Sequence, residues 1–182
     1  MTKEALKARC LQLIEDNKAA IIDIGQEIFA HPELGFKEHN TAALVCSTFE
    51  RLGIPYRDKL AITGVRGDLK GRSDGPRVMV MGELDAVVCP LHPQADRTTG
   101  AAHSCGHNAQ IASMLGAAMG LAPLADQLDG NVAFVAVPAE EYVELEYRER
   151  LRQEGQIRFF GGKQEYLRLG VLDDIDMGMM IH

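Results

Sequence analysis

Two short apolar runs, residues 77–84 and 131–137, constrain the fold of this 182-residue chain more than any other feature. The first reads Arg-Val-Met-Val-Met-Gly-Glu-Leu, which suits a strand covered on both faces rather than one with a solvated side. Between the two runs, Ile111, Met114, Leu115, Ala118 and Met119 recur at helical spacing. Further strands are expected over residues 63–69 and 177–182, the former followed by a turn containing Gly71, Gly75 and Pro76. Leu6, Leu13, Ile14, Ile21, Ile24 and Ile28 predict one long amphipathic helix or two abutting ones over residues 3–30. His31-Pro32 stops that pattern, because proline pushes the residue before it out of the α region. A second helix is expected over 40–52 with Gly53 as its cap, and a short one over 163–169. Residues 85–104 read as loop, and 142–160 as charged and irregular. Alternating helices and strands favour an α/β domain around a central, largely parallel sheet, which carries its chemistry at the carboxyl ends of its strands.

Charge and cysteine usage narrow the function. The 26 acidic residues outnumber the 19 basic ones, and no segment gathers Lys and Arg into a stripe, so nucleic acid is a poor partner. The first thirty residues carry charges throughout and no later run reaches spanning length, so neither a secretory leader nor a membrane partner is expected, and a cytoplasmic location follows. Cys10, Cys46, Cys89 and Cys105 are irregularly spaced and read as reduced. A chain of this size removes roughly 70% of its surface on folding, enough for one domain or a large piece of one.

Four constellations could carry chemistry. In His103-Ser104-Cys105-Gly106-His107-Asn108 a thiol and an imidazole sit two residues apart at a helix start, whose dipole would favour Cys105 as thiolate. Thiolate and neutral imidazole suit a zinc-like ion, with Gly106 turning the backbone so that both face it, although the same residues could serve packing and helix-start polarity alone. Glu140-Glu141 follows the 131–137 strand at its carboxyl end; one glutamate could bind a metal and the other take a proton, or both could be a solvated loop. Asp85, ending the 77–84 run, could orient a ligating histidine or simply open a turn. His182 ends the last apolar strand, where a surface role is the alternative.

Taken together, HPELGF at 31–36, ELDAV at 83–87, HSCGHN at 103–108, VPAEE at 137–141 and the segment from GGK at 161–163 to His182 resemble the metal-dependent aminoacylase and carboxypeptidase-type amidohydrolase family. The resemblance covers nearly the whole chain and is closest to the branch of p-aminobenzoyl-glutamate hydrolase and its dipeptidase-like relatives. It implies a three-layer α/β sandwich with a central mixed, largely parallel sheet, zinc-peptidase-like and truncated. Residues 1–182 would be the N-terminal part of the catalytic domain, without the lid and dimerisation domain or the C-terminal part. It also implies two divalent metal ions, zinc or manganese, with Cys105 bridging them, His107 and His182 completing one site and Glu141 binding the other. Glu140 would be the general base that draws a proton from metal-activated water, cleaving the amide of an N-acyl amino acid or dipeptide-like substrate. Asp85, His103 and Asn108 would support the ligands from behind, Asn108 standing where many relatives have aspartate. Full-length relatives would be homodimers. Residues 142–160 form a longer link than in many relatives.

Three alternatives stay open on the sequence. The chain could be a truncated, catalytically inactive metal-binding fragment. Cys105 could be the nucleophile of a cysteine hydrolase. Cys and His could instead hold a structural ion in a closed four-ligand shell.

Overall fold

The computed structural model describes residues 1–181. In chain order the helices are α1 (Lys3–Asp16), α2 (Lys18–Ala30), α3 (His39–Leu52), α4 (His107–Leu121), α5 (Leu145–Gln153) and α6 (Gly162–Arg168). The strands are β1 (Tyr56–Leu60), β2 (Gly64–Leu69), β3 (Ser73–Glu83), β4 (Val87–Val88), β5 (Ala101–Ala102), β6 (Asp129–Val137) and β7 (Met177–Met180). Five strands form one sheet in the order β1-β2-β6-β3-β7, antiparallel across β1-β2 and β2-β6 and parallel across β6-β3 and β3-β7. The mixed sheet is thus parallel in the half where β3 and β6 lie side by side.

Alternation along β6 builds two cores. Phe134 and Ala136 face one side, where Ile24, Ile28, Val45, Phe49, Ile111, Met114 and Leu115 from α2, α3 and α4 meet them. Ala133, Val135 and Val137 face the other, against Leu151 of α5, Tyr166 of α6, Ile157 and Val171. Both faces of the central strands are covered, which is why their sequences are continuously apolar rather than alternating. The result is the three-layer sandwich, helices on sheet on helices.

Local chemistry sets the boundaries. The N-terminal amphipathic stretch is two helices, broken at Asn17, whose side-chain amide turns back to the Leu13 carbonyl at 2.8 Å. Gly53 ends α3 at φ 66°, in the left-handed region glycine tolerates. The Glu33 carboxylate accepts the amides of Asn40 (3.0 Å) and Thr41 (2.8 Å), filling orphan donors at the start of α3. β1 and α5 were not legible in advance: the YRDKL of β1 lies mostly exposed on the sheet edge, and α5 buries only Arg148 and Leu151.

The approach to β7 is locked by ions. The buried Arg66 guanidinium forks onto Asp174 (2.7 and 2.8 Å) and onto Asp68 (2.7 and 3.1 Å), and also bonds the Val171 carbonyl, while Arg77 reaches the same two carboxylates. Asp174→Ala removes the fork but leaves Arg66 its Asp68 partner, so a loss of about 1–3 kcal/mol is expected, read as a lower urea midpoint with unchanged slope.

Candidate metal centre

The pairing of β3 with β6 ends with Glu83 opposite Val137, and the Leu84 amide still donates to the Val137 carbonyl at 2.9 Å. The two strands therefore release residues 83–85 and 138–141 onto one rim. The start of α4 supplies the third part. Gly106 adopts φ 98° with open space where a Cβ would sit, so glycine is required there for the backbone angle rather than for room. Donor atoms of Cys105, His107 and Glu141 lie within 4.8 Å of one another, as do those of Glu83, His107 and Glu140.

His107 is the shared member, and it is buried. Its Nδ1 meets the backbone carbonyl of Asp85 at 2.7 Å, which aims Nε2 at Glu83 (2.9 Å), with Glu140 and Glu141 each 3.9 Å away. Burial pushes the imidazole pKa down, but the Asp85 and Glu83 carboxylates outweigh it and hold it well above its ordinary value. Burial likewise raises Glu83, and His107 with Lys163 reverses that and holds its carboxyl below the usual range. Lys163, in the first turn of α6, bonds Glu83 and lies 3.5 Å from Glu140.

The other expected residues fall as follows. Asp85 lies behind the centre, but its contact with the histidine is mainly through its main chain; its carboxylate is 3.5 Å from Nδ1 and instead accepts the amides of Glu140 (3.0 Å) and Glu141 (2.9 Å). At Cys105 the neighbouring Glu141 carboxylate, and then burial, push the thiol pKa up, against the helix-start effect expected from the sequence. His103 is buried, and burial followed by the nearby His107 drives its pKa down to about 4, keeping it neutral. Asn108 donates its side-chain amide to the Gly25 carbonyl at 3.2 Å, tying α4 to α2 through a bond that an aspartate could not donate. The expected ligand His182 lies outside the described residues. Glu83 and Lys163 were not assigned roles from sequence, although both sit within quoted motifs.

This donor set fits a divalent cation. Thiol, imidazole and carboxylates converge from a helix start and two strand ends, and a cation among them would offset the negative charge that pushes the Cys105 thiol pKa up.

Residues 79–174 match the peptidase family M20/M25/M40. The chain belongs to that family. The matched segment contains Glu83, Asp85, Cys105, His107, Glu140, Glu141 and Lys163, so every described member of the centre lies inside it. An N-acyl-L-amino acid amidohydrolase of Geobacillus stearothermophilus is 29% identical over 187 residues, an alignment covering 100% of this chain and 45% of that protein. The Bacillus subtilis YXEP protein, a dinuclear metal-binding peptidase of the M20 family, superposes with a TM-score of 0.73 at 29% identity, covering 92% of this chain and 44% of that one. An aminobenzoyl-glutamate utilization protein of Klebsiella pneumoniae shares the fold, with a TM-score of 0.68 at 17% identity over 93% of this chain and 44% of the other. The chain thus spans less than half the length of these three proteins. No helix among the described residues is long and apolar enough to cross a membrane.

Proposed function

We propose that this chain forms the N-terminal part of the catalytic domain of a two-metal amidohydrolase that cleaves N-acyl amino acids or dipeptide-like amides such as p-aminobenzoyl-glutamate. The observation that carries this reading is the convergence of Cys105, His107 and Glu141 within 4.8 Å beside a further glutamate, Glu140. Cys105 is the candidate bridge between two ions, His107 a ligand of one together with His182, and Glu141 a ligand of the other. Zinc and manganese both accept this mixture of sulfur, nitrogen and oxygen donors. When bound, the ions would supply electrophilic activation of a water and of the substrate carbonyl.

The protein's own groups do the rest. Glu140 takes a proton from the attacking water at a carboxylate oxygen and returns it to the leaving amine nitrogen as the C–N bond breaks. Lys163, 3.5 Å from Glu140 and bonded to Glu83, fixes the position of that carboxylate and offsets part of the negative charge at the rim. Asp85 holds the two glutamates through their main-chain amides, and the Asp85 carbonyl sets the His107 tautomer so that Nε2 is the atom presented.

Purified protein assayed against N-acetyl amino acids and p-aminobenzoyl-glutamate tests the reading. Hydrolysis is expected to vanish on chelation and return with zinc or manganese. Hydrolysis that survives chelation but is abolished by thiol alkylation would replace this reading with a cysteine nucleophile at Cys105.

A further inference from the structure

The turn that carries Glu140 and Glu141 has its peptide groups held by buried ionisable side chains. The amide of Ala139 donates to Glu38 at 2.8 Å, and those of Glu140 and Glu141 donate to Asp85. The carbonyls of Ala139 (3.4 Å) and Glu141 accept from the Arg148 guanidinium, which also bonds the Phe160 carbonyl at 2.8 Å. Glu38, Asp85 and Arg148 have essentially no solvent-exposed surface. Ala139 itself adopts φ 51°, a conformation that a residue with a Cβ keeps only when its surroundings impose it.

Arg148 is fitted to this task. Phe36 lies under its guanidinium, with 5.6 Å to the ring centroid. Gly35 passes so close that an added Cβ would come within 2.5 Å of Nη2 and 2.9 Å of Ala139. Burial pushes the guanidinium pKa down, and the Asp85 and Glu38 charges oppose that push. A planar fork can bond several carbonyls at once, which an ammonium cannot.

We propose that Arg148 is a positioning residue for Glu140 and Glu141: its fork holds the carbonyl side of their turn while Glu38 and Asp85 hold the amide side. Helix α5 is then part of the site's support, not a linker. The inference rests on the reading of Glu141 as a metal ligand and Glu140 as a base. Its physical content is that a ligand shell is only as precise as the groups behind it.

Cobalt(II) titration of this chain, of Arg148→Met and of Arg148→Lys tests it. The unsubstituted chain should bind cobalt with a thiolate-to-cobalt absorption band from Cys105. Arg148→Met is expected to bind roughly ten- to a hundredfold more weakly yet keep that band, because Cys105 and His107 do not hang from the turn. Arg148→Lys should fall between the two. Affinities of the folded variants within about twofold of the unsubstituted chain would overturn the proposal, since a purely structural arginine lowers stability and leaves the folded site unchanged.

Amide exchange supplies an independent readout. In the unsubstituted chain the amides of Ala139, Glu140 and Glu141 should be as protected as those of β6, and Arg148→Lys should release them selectively while β6 stays protected. Rapid exchange at these three amides in the unsubstituted chain would sink the proposal without any variant. Absence of cobalt binding in the unsubstituted chain would instead strike the metal reading, leaving the exchange data to judge the turn alone.

Discussion

Replacing Glu140 with glutamine is expected to lower the turnover number for amide hydrolysis by about a hundred- to ten-thousandfold while metal content stays the same. The substitution keeps size and shape, and the amide oxygen can still accept a bond from Lys163, whose Nζ lies 3.5 Å from Glu140. What it removes is the capacity to take a proton. The proposed ligands Cys105, His107 and Glu141 are untouched, and the main-chain amide of residue 140 still reaches Asp85 at 3.0 Å. Binding and chemistry are thereby separated: KM should move little, kcat should collapse, and elemental analysis should return the unsubstituted stoichiometry. A variant that turns over at the original rate would remove Glu140 from the proton-transfer role and leave the metal proposal standing. A variant that loses metal along with activity would make Glu140 a ligand, a role its place beside Glu83 and His107 would then accommodate.

The residues that could be read in advance were those whose chemistry is local. β3 and β6 announce themselves by apolar runs and α4 by apolar residues at helical spacing. His107, Cys105 and Glu141 are ligand types at element ends, and a parallel sheet brings such ends together. The support was not legible, because it consists of long-range bonds between side chains and main-chain groups that leave no pattern in the sequence. Glu38 and Arg148 look like surface charges on polar stretches, and only the fold buries them against residue 139. HPELGF could be quoted as a motif without a reason for it. Its reasons are structural: Glu33 caps α3, Leu34 bridges to Ala86, and Gly35 and Phe36 make room for and underlie Arg148. The push on the Cys105 thiol was hidden for a related cause, since the helix dipole is local and the opposing Glu141 charge comes from a strand end 36 residues away.

The buried carboxyl of Glu38 should make stability fall as pH rises from about 4.5 to about 7, by roughly 3 kcal/mol in total. Burial, and then the nearby Asp85 charge, raise its pKa from the ordinary 4.5 to about 7, against bonds from Thr63 and Ala139 that favour the ion. Between those two values the folded chain carries a proton that the unfolded chain has lost. The folded state therefore binds more protons, and each step up in pH within this window favours unfolding. Below 4.5 both states are protonated and the advantage is complete; above about 7 both are ionised and it is gone. Glu38→Gln removes the titration without removing the bonds. Its carbonyl oxygen can accept the Ala139 amide now held at 2.8 Å, and its nitrogen can donate to the Thr63 hydroxyl that now donates to Glu38 at 2.6 Å. The difference in unfolding free energy between the variant and the unsubstituted chain, taken from urea curves at several pH values, should grow in the variant's favour across this window and be flat outside it. Parallel curves from pH 4 to pH 8 would mean that Glu38 ionises in the fold as it does in the open chain, and that the amide of Ala139 is held by an ordinary carboxylate.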